Sequence, residues 1–130
     1  MCLQKRINKL SFKFIKQLLF CKTGYKILSY DNERLMSVHH PEDFPLNVWK
    51  KAINEWTGWE SFRYPSGYHI YINKEELGIA LESYKKYTNS LVVVEVKYKG
   101  LIEVGLEEHG VLVFVVDNLV PTKVLKIIEA

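Results

Sequence analysis

Hydrophobic and polar positions alternate most cleanly between residues 64 and 106, and that stretch organises the reading of the whole chain. Pro65, Ser66 and Gly67 make a Pro-x-Gly turn, after which Tyr68, Ile70 and Ile72 alternate with His69 and Tyr71. Residues 91–98 read Leu-Val-Val-Val-Glu-Val-Lys-Tyr, and these two patterns predict strands over 68–72 and 91–98. Between them Leu77, Ala80, Leu81, Tyr84 and Tyr87 recur at helical spacing. A helix is predicted over 74–87 with that set turned inward, and Asn73 with Glu76 three residues later is its capping signal. Further strands are predicted at 101–106, 111–117 and 123–128. Residues 111–116 are apolar at every position, which predicts a central strand covered on both faces.

Upstream, the β-like runs 25–30 and 34–38 flank Asp31-Asn32, so a hairpin is expected there. Residues 39–66 are irregular, punctuated by Pro41, Pro45, Gly58 and Pro65 around Trp49, Trp56, Trp59 and Phe62. Loops of that length are often functional, and a short helix within 46–56, capped by Asn47, is expected inside it. Over 3–21, Leu3, Ile7, Leu10, Phe14, Leu18 and Cys21 fall on one helical stripe with Lys5, Lys9, Lys13 and Lys16 opposite. Gly24 follows as a stop signal. The expected architecture is α+β: a mixed or mainly antiparallel sheet of about six to seven strands, a basic amphipathic helix in residues 1–22, and one domain over 23–130 with one central helix.

Length and charge narrow the classes. A chain of 130 residues closes a single hydrophobic core, and no apolar run reaches the roughly 18 residues that a membrane span needs. The basic start has no small-residue cleavage site, and Cys2 and Cys21 make neither a disulfide framework nor a metal cluster, so a host-cell cytoplasm is the expected location. Residues 1–22 hold six basic residues and no acid, leaving 12 of the 18 basic residues against all 15 acidic ones in the body. That argues against the body as a nucleic-acid platform and confines any phosphate or membrane-surface contact to the amino-terminal helix. The ordinary reading of that helix is packing on the acidic body with its lysines in water.

The chain contains no phosphate-binding Gly-rich loop, no Gly-x-Ser-x-Gly, no Cys-x-x-Cys and no His-Glu-x-x-His. His39-His40 lack further ligands at zinc-like spacing and read as solvated, so neither a metal nor a cofactor is expected. His69 is the more informative histidine: a strand places it with Tyr71 on one face, opposite Tyr68, Ile70 and Ile72. Its ordinary reading is a hydrogen-bonded structural ring. The aromatic group Trp49, Trp56, Trp59, Phe62 and Tyr64 reads either as core and lid or as an anchor surface for a protein partner.

Two resemblances follow from these residues. Gly24-Tyr25-Lys26, Arg34-Leu35-Met36-Ser37, Pro45-Leu46-Asn47-x-Trp49, Tyr64-Pro65-Ser66-Gly67-Tyr68-His69-Ile70, the Val-Val-Val-Glu-Val run and the closing Val-Leu-Lys-Ile resemble a family of small phage and bacterial proteins. That resemblance spans most of 24–128 and implies a phage or mobile-element setting. Gly67 to Tyr71, the helix with Ala80 and Tyr84, 92–100 and 113–127 look like the split-sheet core of ADP-ribosyltransferases. There the departure is chemical: the position of that family's catalytic glutamate falls near Leu112, and the first strand has no His-Gly or Arg motif.

The leading expectation is a non-enzymatic binding protein that engages a host macromolecule, as an inhibitor of a host defence system, through Trp49, Trp56, Trp59, Phe62 and Tyr64 and through Lys5, Lys9, Lys13 and Lys16. The alternatives are a nucleotide site of ADP-ribosyltransferase type around His69, Tyr71 and Tyr84, and a membrane-surface protein anchored by residues 1–22.

Overall fold

The computed structural model describes residues 5–6, 23–32, 34–38, 42–52, 56–59, 62–65, 67–88, 90–107 and 110–129; residues 5–6, 56–59, 62–65 and 129 are described by their backbone. The elements in chain order are β1 (Lys5–Arg6), β2 (Thr23–Asp31), β3 (Arg34–Met36), β4 (Lys50–Lys51), β5 (Trp56–Trp59), β6 (Phe62–Pro65), β7 (Tyr68–Tyr71), a 3-10 turn (Lys74–Glu76), α1 (Leu77–Tyr84), β8 (Ser90–Leu106) and β9 (Leu112–Glu129). This is an α+β chain of mainly antiparallel sheet with one short helix.

The long hairpin β8–β9 is the frame. The β-branched density of 91–96 and 111–116 sustains strands well past the lengths predicted, and the four strands expected there are two. The expected break near residue 100 is a bend instead, since Gly100 adopts φ 74°, open to glycine at little cost, and the ladder slips register between Leu101 and Glu103. Pro121 does not end β9 because it pairs with Val96 beside a second register shift.

β2 pairs with residues 91–97 of β8, β7 with 113–116 of β9, and Tyr25 with Tyr71, so β8, β2, β7 and β9 close into a ring. Leu28, Ile70, Val94 and Phe114, one from each strand, are fully buried in a single cluster on its inner face, which Phe44 and Ala52 help to close. On the outer face Ile27, Tyr71, Val93, Val113 and Val115 pack under Leu77, Ala80, Leu81 and Tyr84 of α1. Residues 111–116 are therefore buried on both faces, as their uniform apolarity requires.

Other expectations changed. Lys5–Arg6, placed in the amino-terminal helix by the pattern, is a strand paired with Gly105 and Leu106; the rest of 1–22 lies outside the described residues. The main sheet holds seven of the nine described strands; the other two, β5 and β6, form a separate hairpin, and the segment read as irregular contains both that hairpin and β4. The helix expected within 46–56 gives way to a turn at Leu46-Asn47, where Asn47 has φ 64°, outside the extended conformation that an N-cap uses. Asn73 makes no side-chain cap either: its amide donates to Glu76 Oε1 at 2.7 Å. Tyr87, expected inward, is 58% exposed because α1 ends at Tyr84. The hairpin at Asp31-Asn32 forms as read, with Asp31 opposite Arg34.

Candidate functional site

Two features of the described residues concentrate chemistry. The first is built by β7, whose alternation turns Tyr68 and Ile70 to the inner face and His69 and Tyr71 to the face under α1. Glu107 follows β8 directly. Its amide donates to the Val111 carbonyl and its carbonyl accepts from Gly110, both at 3.0 Å, so the turn folds the carboxyl back over β7. The His69 ring meets Glu107 Oε2 through Nδ1 at 3.0 Å, and the Tyr71 hydroxyl donates to Oε1 at 2.7 Å. The Tyr84 hydroxyl lies 3.3 Å from that of Tyr71.

Electrostatics follow from burial. Desolvation pushes the His69 pKa down against the raising effect of Glu107, so at neutral pH the ring is uncharged and its Nδ1–H donates to the carboxylate. Burial alone would push Glu107 up; the hydrogen bonds and the neighbouring His69 more than offset it, holding Glu107 below the usual carboxylate range and ionised. Both phenols are pushed upward, chiefly by burial. On the far side of β7, Lys26 Nζ donates to the His69 carbonyl at 3.1 Å and sits 5.4 Å from the Phe44 ring centre and 5.9 Å from that of Tyr68. Burial lowers its pKa to about 8, opposed by attraction to Glu107 and Glu42.

The second feature is a surface. Leu46, Val48 and Trp49 are exposed, Trp49 by 50%, and Lys99 Nζ lies 4.6 Å over the Trp49 ring. The segment that carries them is held to β9: Asn47 N–H donates to the Pro121 carbonyl at 2.7 Å, and Lys50 and Lys51 pair with Leu119 and Asn118. Beside it a groove of about 390 Å³ is lined by Tyr30, Arg34, Leu35, Asp43, Pro45, Leu46 and Val124. Arg34 holds Asp43 Oδ2 at 2.6 Å, while the buried Asp43 Oδ1 has no hydrogen-bond partner among the described residues.

Of the residues singled out by sequence, the structure brings His69, Tyr71 and Tyr84 together and places Trp49 on the surface. Trp56, Trp59, Phe62 and Tyr64 form the β5–β6 hairpin, described by its backbone, as is Lys5; Lys9, Lys13 and Lys16, with His39 and His40, lie outside the described residues. Glu107 and Lys26 were missed. A carboxylate ending an apolar strand was the available signal for Glu107, and for Lys26 a lysine at an inward-alternating position of β2.

Among the described residues no group of three His, Cys, Asp or Glu is placed to hold a metal, and no helix is long and apolar enough to cross a membrane. No protein-family model, no curated protein and no solved structure matches this chain.

Proposed function

We propose that this chain is a binding protein that engages a protein partner through the surface around Leu46, Val48 and Trp49. The observation that carries this reading is that three large apolar side chains within four residues face solvent on a segment fixed to β9 by a backbone hydrogen bond and a strand pairing. Apolar side chains presented on a rigid support lose little conformational freedom on docking, and a central tryptophan is a common energetic anchor. The network around Glu107 supports a structural role for His69: its carboxylate oxygens are each taken by a donor from the chain itself. A phage or mobile-element setting, with a host macromolecule as the partner, is the context in which such a small binder inhibits a defence system.

The test compares tagged protein with Trp49→Ala and Val48→Asp variants in capture from host lysate. A protein recovered in near-equal amount by the parent and lost from both variants, with melting temperatures unchanged, supports the reading; equal capture by all three removes it.

A second reading has one specific observation in its favour, the convergence of His69, Tyr71 and Tyr84 on Glu107. It assigns these residues to a nucleotide site of ADP-ribosyltransferase type and predicts a higher melting temperature with millimolar nicotinamide dinucleotide. An unchanged melting temperature counts against it.

A further inference from the structure

β9 is paired on both edges over its first half and on one edge over its second. Residues 113–116 lie between β7 and β8, and Leu119 and Asn118 lie between β4 and β8. Beyond the bond from Asn47 to Pro121, residues 122–128 pair only with β8 among the described residues, which leaves one backbone edge without a neighbouring strand. Such an edge is a template for another extended chain.

The side chains along that edge specify what fits. Val124 and Ile127 stand opposite Val94 and Val92, both of the inner-face cluster, so they belong to the inner side of the sheet; Val124 lines the groove and Ile127 is 53% exposed. Lys123 stands opposite Glu95 and Lys126 opposite Val93, positions of the outer side, and the register shift between Val93 and Val94 brings Leu125 and Lys126 to that same side. Both lysines are exposed and make no ion pair among the described residues. One face of an incoming strand therefore meets apolar side chains and a groove, and the other meets two exposed lysines, Lys123 beside Glu95 and Lys126 beside Val93. A strand alternating apolar and acidic residues satisfies both faces. The groove reinforces the split, because the unsatisfied Asp43 Oδ1 disfavours a carboxylate there.

We propose, resting on the protein-binding reading above, that residues 122–128 of β9 bind an extended segment of the partner as an added strand, and that this segment alternates apolar and acidic residues. A second copy of the chain is the weaker occupant, since antiparallel self-pairing would crowd Lys123 and Lys126 of both copies on one face.

The probe is a capped synthetic decapeptide alternating Val and Glu, compared with the same peptide carrying Lys for Glu and with one N-methylated at alternate residues. Binding is read by fluorescence anisotropy at low salt, and backbone protection by hydrogen exchange on the full chain. Expected are binding of the Val-Glu peptide in the micromolar range, slowed exchange over 122–128, at least tenfold weaker binding by a Lys123→Glu/Lys126→Glu variant, and none by the N-methylated peptide. The proposal is overturned if the Val-Glu peptide fails to bind at millimolar concentration, if N-methylation changes nothing, or if 122–128 of the free protein already exchange as slowly as 113–116. The last result would mean that another part of the chain or a second copy covers the edge, and sedimentation separates those two. Loss of peptide binding with Trp49-dependent capture intact removes this inference alone, whereas peptide binding with Trp49-independent capture removes the surface reading.

Discussion

His69 and Glu107 stand 38 residues apart in the chain and 3.0 Å apart in space, and the carboxylate that joins them also takes the Tyr71 proton. One side chain at the end of β8 thus satisfies two polar groups of β7 beneath α1. Replacing Glu107 by Ala removes the one carboxylate that a buried phenol and a buried imidazole share, and the expected cost is about 3 kcal/mol in urea denaturation. Glu107→Gln should cost only about 1 kcal/mol, because the amide oxygen accepts from Tyr71 and the neutral ring takes the other tautomer to accept from the amide nitrogen. Equal losses from the two variants would show that packing and not hydrogen bonding dominates the site.

The same pair sets an acid dependence. The folded pKa of His69 lies below its ordinary 6.5, so as pH falls through 6.5 the unfolded chain takes up a proton that the folded chain refuses. Glu107, held below its ordinary 4.5, adds a second loss of the same sign below that value. Stability is therefore fully present above pH 6.5 and declines on acidification in two stages. A surface His–carboxylate pair gives the opposite first stage, since a raised histidine pKa stabilises on acidification. Urea midpoints from pH 8 to 4 should begin to fall below 6.5 in the parent, and His69→Asn should flatten that first stage.

How much of this was legible in the sequence depends on whether a residue's partners are local. The face of α1 through Leu77, Ala80, Leu81 and Tyr84, the alternation of β7 and the double burial of 111–116 are periodicities, and the structure keeps them. Glu107 was not legible, because its role arises from a hairpin turn that returns it to a strand more than 30 residues upstream. Nor was the fusion of four strands into two: Gly100 and Pro121 fall in the gaps between the predicted strands, and only the pairing partner turns those gaps into a bend and a register shift. Asn47 misled for a related reason, since asparagine serves N-caps and left-handed turns alike, and its bond to Pro121 decides between them.

Two glycines that face β strands should differ in their tolerance of alanine. A methyl group at Gly67 would meet the Val116 carbonyl oxygen at 2.7 Å and the Ile102 and Val115 side chains at 2.8 Å. The oxygen belongs to the central strand β9 and cannot withdraw without disturbing its ladder, so Gly67→Ala is expected to cost about 2–3 kcal/mol. At Gly24 the nearest atom is Ile70 Cδ1 at 2.9 Å, the end of a flexible side chain, with the Tyr71 carbonyl oxygen at 3.1 Å. Gly24→Ala should cost about 1 kcal/mol or less by that argument. Thermal melts of the two variants rank them, and the reverse order would mean that the inner-face side chains yield less than the strand does.

Lys26 supplies the last test, because it places a cation on the inner side of the ring between the aromatic faces of Phe44 and Tyr68. Desolvation is the largest influence on it and outweighs the pull of Glu107 and Glu42, which is why its pKa falls to about 8 from 10.5. Between those values the unfolded chain binds more protons than the folded one, so the parent gains stability as pH rises from 8 toward 10.5. Methionine has nearly the same length and keeps the packing against both rings without the charge. Lys26→Met is therefore expected to be more stable than the parent by about 1–2 kcal/mol at pH 7, the lost hydrogen bond to the His69 carbonyl having been allowed for. The advantage should shrink above pH 8 and vanish near 10.5, and because every other lysine is common to both chains, the difference between them isolates this one group. A methionine variant less stable than the parent at pH 7 would show that the carbonyl bond and the aromatic contacts outweigh desolvation, and would make Lys26 a stabilising tie between β2 and β7.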